Sequence, residues 1–97
     1  MSKKASISAP GPLSLKLSEI IRDELERSGA GQNAVAETAQ MSAGQLSDVL
    51  TGKKQFTIGQ LDRVCFALNL PLRDTVRKAD EATMARYVAM DVQPLAD

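Results

Sequence analysis

The sequence predicts an all-α domain of five helices, and three observations carry that prediction. Apolar residues recur at three- and four-residue spacing along most of the chain, as the buried face of a helix requires. Runs of β-branched residues are absent, and the aromatics are only Phe56, Phe66 and Tyr87, so a sandwich or barrel is poorly supplied. Helix start and stop signals divide the apolar pattern into short segments. With 97 residues and an apolar share of 43%, the chain has material for one domain with a modest, aliphatic core.

The elements follow in order. Residues 1–12 are small and polar and end in Pro10-Gly11-Pro12, which predicts a flexible N-terminal arm. Lys3 and Lys4 within it read either as a solvated tail or as a trailing phosphate contact. Leu13, Leu17, Ile20, Ile21 and Leu25 then mark one face of a helix that reaches Ser28, with only Glu24 interrupting it. Gly29 ends that helix. A short second helix is expected over residues 32–39, with Val35, Ala36 and Ala39 inward. Gln40-Met41 forms the turn. Ser42 and Gln45 make a capping box that opens a third helix, and Thr51-Gly52 stops it near Leu50.

Thr57 and Gln60 form a second capping box. The fourth helix that follows is expected to bury Ile58, Leu61, Val64, Cys65 and Leu68 and to end at Asn69 in the left-handed conformation. Pro71 suits the first turn of a fifth helix carrying Leu72 and Val76. That helix stops near Lys78 or continues toward Val92. Val76, Ala79, Met84, Tyr87, Val88 and Met90 permit an extra C-terminal helix, which Pro94 would close. The expected organisation is an arm over residues 1–12, a folded domain over 13–79, and a C-terminal helix or tail over 80–97 that is a candidate dimerisation element.

Several chemistries are excluded by composition. The chain has no His and a single Cys, so no zinc ligand set, disulfide or Cys-His or Ser-His-Asp apparatus can form within it. No phosphate-cradling glycine loop is present, and neither an enzymatic activity nor a cofactor is expected. Cys65, inside Val64-Cys65-Phe66-Ala67-Leu68, reads as a small core residue. No membrane span or signal peptide is visible, so a soluble, cytoplasmic protein is expected. Twelve basic and twelve acidic residues cancel to a net charge of zero. The charges are unevenly placed: between Thr38 and Gln60 only Asp48, Lys53 and Lys54 are charged, whereas acids gather at Glu19, Asp23, Glu24, Glu26, Asp80 and Glu81.

The segment QNAVAETAQMSAGQLSDVLT, residues 32–51, is the most informative part of the chain. Two short helices joined by a tight turn, with small or apolar residues at Val35, Ala36, Ala39, Met41, Leu46 and Val49, are what a helix-turn-helix must bury to fix the angle between its helices. Ala36 falls at the crossing, where a larger side chain would force the helices apart. Leu46 and Val49 anchor the third helix, leaving Ala43, Gly44, Ser47 and Asp48 turned outward. The first turn of such a helix enters the DNA major groove, which places Ser42, Ala43, Gly44 and Gln45 nearest the base edges.

On these residues the chain resembles the Cro/phage-repressor (lambda-repressor-like, XRE-like) helix-turn-helix family over about residues 13–78. Gln32 opens the second helix, Ala36 sits at the crossing, Leu46 and Val49 point inward, Thr51-Gly52-Lys53 follows the recognition helix, and LDRVCFALNLPLRD resembles the family's closing pattern. The resemblance implies a compact five-helix fold and a double-stranded operator DNA partner. It further implies that Gln32, with Asn33 beside it, contacts phosphate and braces the recognition helix. Ala43, Gly44, Gln45 and Asp48 would read bases, and Thr51, Lys53 and Lys54 would grip phosphate. Gln40 departs from the family's turn glycine, and a left-handed residue there costs roughly 1 kcal/mol. The functional expectation is a transcriptional repressor of phage or mobile-element type, binding a palindromic operator as a homodimer. The competing expectation is a protein-interaction module or antitoxin that keeps the fold, binds DNA weakly and has a protein partner.

Overall fold

The computed structural model describes residues 10–95, and the expected arm lies outside it except for its last residues. Among the described residues there are helices and connecting turns and no strand. The helices are α1 (Pro12–Ser28), α2 (Gln32–Thr38), α3 (Ala43–Leu50), α4 (Ile58–Ala67), α5 (Leu72–Thr83) and α6 (Ala85–Ala89). α1 packs on α5 and α3, α2 packs on α3 and α4, and α4 packs on α5. Among the described residues no helix is long and apolar enough to cross a membrane.

Local chemistry sets the helix ends. α1 starts at Pro12, one residue inside the segment expected to be an arm, because proline costs nothing at a first-turn position whose N–H has no partner. Gly29 caps α1 at φ 74°. Both expected capping boxes form: Ser42 Oγ accepts from Gln45 N at 3.0 Å while Gln45 Oε1 accepts from Ser42 N at 2.9 Å. Thr57 and Gln60 repeat the pattern at 3.0 Å in both directions. Pro71 precedes α5 as its extended N-cap rather than forming its first turn.

Three helices end in the same way. Gln40, Asn69 and Asp91 adopt the left-handed conformation at φ 58°, 57° and 56°. In each case the next residue donates its N–H back across the turn: Met41 to Ala36 at 2.9 Å, Leu70 to Cys65 at 2.8 Å and Val92 to Tyr87 at 3.0 Å. This is the Schellman arrangement, in which an apolar residue follows the left-handed one and packs back on the helix. Met41 does so fully, being buried in the core.

The core joins Leu17 and Ile21 of α1, Val35 and Ala36 of α2, Leu46, Val49 and Leu50 of α3, Leu61, Val64 and Cys65 of α4 and Ala79 of α5. Leu68 and the turn residues Ala39 and Met41 complete it. Burial pushes the Cys65 thiol up from its usual range, opposed by a hydrogen bond with Thr75. Glu24, the interruption on the α1 face, is half-buried and pairs with Arg27 at 2.8 Å.

Two further expectations change. Ile58 is 80% exposed, not buried. It lies at the first helical position of α4, beyond the packed stripe that starts at Leu61, and borders an open cleft with Gly11, Leu13 and Tyr87. The C-terminal helix forms, but as a broken continuation of α5, which runs past Lys78 to Thr83. Thr83 Oγ1 donates to the Ala79 carbonyl at 2.9 Å, and Arg86 Nη1 donates to the Thr83 carbonyl at 2.6 Å. Side-chain bonds of this kind compete with the helical ladder and interrupt it.

Gly52 has φ 82°, and a Cβ added there would stand 2.9 Å from Leu15 Cδ2. Gly52→Ala is therefore expected to lower unfolding free energy by more than about 1 kcal/mol. Gln40→Gly is expected to raise it by up to about 1 kcal/mol as the left-handed strain is relieved. Urea unfolding of both variants checks the pair, and equal effects in the same direction would contradict it.

Candidate nucleic-acid interface

α3 is the element the rest of the domain positions. Its inner face is buried through Leu46, Val49 and Leu50, against Val35 and Ala36 of α2. The two alanines at 36 and 39 let the helices approach closely, and both are essentially inaccessible. Polar side chains from other helices then fix the ends of the unit. Ser18 of α1, 1% exposed, donates to the Val49 carbonyl at 2.6 Å. Arg22, also of α1, donates through Nη1 to the Leu50 carbonyl. These are carbonyls of the last turn of α3, which has no further helical turn to pair them. At the other end, Arg63 Nε of α4 donates to the Ala39 carbonyl in the turn at 2.7 Å.

Ser18, Arg22 and Arg63 were not singled out by the sequence. Ser18 occupies a core-facing position of α1, next to Leu17 and one turn before Ile21. A polar residue there was the available signal, but its partner, 31 residues away, was not readable.

Ser42, Ala43, Gly44 and Gln45 are all exposed at the start of α3. A Cβ on Gly44 would meet nothing nearer than Ser42 Oγ at 4.0 Å, so the backbone there is open to close approach. Gln45 is exposed, yet its side-chain oxygen is held by the Ser42 N–H, leaving its amide N–H groups to face outward.

α3 is flanked by two clefts. On one side a cleft of about 470 Å³ brings Gln32, Ser47 and Thr51 together with Arg22, Asp23 and Glu26 of α1. On the other a smaller cleft of about 190 Å³ gathers Gln45, Asp48, Lys54, Gln55, Thr57 and Gln60. Ser47 and Asp48 are thus half-buried on opposite flanks rather than fully outward. Gln32 and Asn33 are exposed at the start of α2, whose N-cap Gly31 supplies no side-chain cap. The Lys53 and Lys54 amides donate to the Asp48 carbonyl at 2.9 and 3.2 Å, which folds the loop over the end of α3 and leaves both ammonium groups exposed. Thr51 Oγ1 turns inward to the Ser47 carbonyl at 2.8 Å. Among the described residues no group of His, Cys, Asp or Glu is arranged to hold a metal ion.

The start of α3 is thus exposed and flanked by polar clefts, and its inner face is locked by the shorter, small-residue α2. The chain has an all-α helix-turn-helix fold. Solved structures agree on this fold. The clp gene regulator ClgR from Corynebacterium glutamicum matches with a TM-score of 0.69 and 25% identity, over 86% of this chain and 87% of that one. A second ClgR structure gives 0.66 and 26%, over 75% and 95%. A variant of the restriction-modification controller protein C.Esp1396I, bound to its highest affinity operator site, matches at 0.63 and 18% identity, over 72% and 96%. The controller C.AhdI from Aeromonas hydrophila matches at 0.59 and 16%, over 64% and 94%. No protein-family model and no curated relative matches the chain.

Two substitutions test how this helix-turn-helix domain is held and how closely it can approach a ligand. Ser18→Ala leaves the buried Val49 carbonyl without its donor and is expected to cost about 1–3 kcal/mol in chemical unfolding. Gly44→Ala meets no obstruction and removes backbone freedom, so it is expected to add about 0.5 kcal/mol of stability. The same methyl group is expected to weaken duplex binding in titrations. Unchanged affinity would show that the backbone at Gly44 does not approach the DNA.

Proposed function

We propose that the chain is a sequence-specific DNA-binding transcriptional regulator, a repressor that occupies a palindromic operator and blocks polymerase. The observation that carries this reading is the presentation of α3. Its first turn is exposed and uncluttered, while its other end is tied to α1 by two side-chain bonds. A helix so held can enter the major groove without reorganising, and preorganisation lowers the cost of binding. The likeness to ClgR and to an operator-bound controller protein supports the same reading.

In this reading Ser42, Ala43, Gly44, Gln45 and Asp48 lie toward base edges. Ala43 suits a thymine methyl, Gln45 offers its free amide N–H groups to acceptors, and Asp48 accepts from cytosine N4. Gln32 and Asn33 face phosphates of one strand, with Ser47 on that flank, and Thr51, Lys53 and Lys54 grip those near the end of α3. With so few cations at the site, non-specific binding is weak and falls off gently with salt.

The functional oligomer is a homodimer, and residues 80–97 supply its contact. Met84, Tyr87, Val88 and Met90 are exposed large apolar side chains on the end of α5 and on α6, with Val88 80% exposed. Met84, Tyr87 and Val88 line one cleft with Val92, and exposed apolar surface of this kind marks association sites. Such a dimer would span two half-sites about 34 Å apart and would act in the cytoplasm, where its operator is. The competing reading, a protein-interaction module or antitoxin, draws on the same apolar face.

Selection of duplexes from a random pool at about 100 mM salt, where surface charge is largely screened beyond about 10 Å, separates the two. An enriched palindrome is expected. Lys53→Ala and Gln32→Ala should then weaken binding to all sequences alike, whereas Gln45→Ala or Asp48→Ala should change the preferred bases. A folded protein that enriches no sequence would replace the operator reading with a protein partner.

A further inference from the structure

We propose that Arg22, on α1, is a phosphate-binding residue of the interface as well as the clamp on α3, its ligand being a backbone phosphodiester of the strand that passes the α1–α2 side of α3. The proposal rests on the reading of α3 as the groove-reading helix.

A helix about 10–12 Å across nearly fills a major groove about 12 Å wide, so a sugar-phosphate strand runs along each of its flanks. The two flanks of α3 are unequally supplied with cations. On the α4 side and beyond the end of α3, Lys53 and Lys54 are both exposed. On the α1–α2 side, Gln32, Ser47 and Thr51 contribute neutral polar groups, Asp23 and Glu26 contribute negative charge, and among the described residues Arg22 is the one cation lining the cleft.

Arg22 has the chemistry for a phosphate. It is exposed although its Nη1 is engaged with the Leu50 carbonyl. A guanidinium presents five N–H donors in a rigid fork, so one bond to a carbonyl leaves a face for a second acceptor. Among the described residues Arg22 makes no ion pair, the pairs formed being Lys16–Glu19, Arg27–Glu24 and Arg77–Asp74, although its charge reaches Glu19 and helps to hold that carboxyl low. Asp23 and Glu26 give the cleft a negative background, and among the described lining residues Arg22 supplies the positive charge that a passing strand could pair with. The bond to Leu50 also fixes the guanidinium against the body of the domain, so little side-chain entropy remains to be lost when a phosphate binds.

The test is a salt series on the selected operator and on an unrelated duplex, using the full chain. Native protein is compared with Arg22→Gln, Arg22→Lys and Lys53→Ala, with thermal unfolding of each. Arg22→Gln removes the charge but keeps an N–H donor for Leu50. It is expected to weaken both duplexes by the same factor and to reduce the slope of log K against log salt by about 0.9, the value for one phosphate contact. Arg22→Lys is expected to keep the native slope.

If Arg22→Gln keeps the native slope while Lys53→Ala lowers it, Arg22 is a clamp alone and the proposal fails with the DNA reading intact. If native protein binds neither duplex, the DNA reading itself fails. Should Arg22→Gln unfold, phenylglyoxal modification of native protein gives the answer. Protection of Arg22 by saturating operator is expected, and undiminished modification in the complex would overturn the proposal.

Discussion

The last turn of α3 ends in carbonyl groups that its own helix cannot pair, and the domain is organised around supplying their partners. Ser18 reaches Val49 and Arg22 reaches Leu50, both from α1. Burying a carbonyl without a donor costs on the order of 1–3 kcal/mol, so α1 and α3 can come together in few ways. Apolar packing alone is permissive about rotation and slide, whereas two hydrogen bonds one turn apart on α1 are not. They fix α3 in direction as well as in depth. Arg63 does the same for the turn through the Ala39 carbonyl, so the unit is held from α1 at one end and from α4 at the other.

Small residues make that geometry accessible. Ala36 and Ala39 lie where α2 meets the core, and α2 is so short that it owes its stability to tertiary contact rather than to its own ladder. The turn that follows accepts a strained Gln40 because it gains two backbone bonds and the burial of Met41. The same exchange recurs after α4, where Asn69 turns the chain and Leu70 packs back. A left-handed polar residue followed by an apolar one is thus a repeated device for changing direction in this chain without glycine.

Electrostatics separates the two sides of α3. The lysines stand in the loop beyond its end, while the acids of α1 line the opposite cleft along with Arg22. A net charge of zero therefore conceals an uneven distribution of charge about α3. On the proposed reading, shape, preorganisation and a few placed donors have to supply what a basic surface would otherwise provide.

The sequence by itself determined the helices and their ends. The capping boxes at Ser42–Gln45 and Thr57–Gln60, Gly29 after α1, and the left-handed Gln40 and Asn69 are local events, governed by residues within one turn of each other, and a linear reading reaches them. The inward positions Val35, Ala36, Leu46 and Val49 were legible for the same reason, since helical periodicity is local. Tertiary structure decided what depends on distant partners. It decided that Ser18 and Arg22 hold α3 from about 30 residues away. It left Ile58 outside the core because the packed stripe of α4 starts one turn later. It also divided the outward face of α3 between two clefts, turning Ser47 to one flank and Asp48 to the other. None of these follows from spacing along the chain, because each depends on which surface another helix happens to occupy.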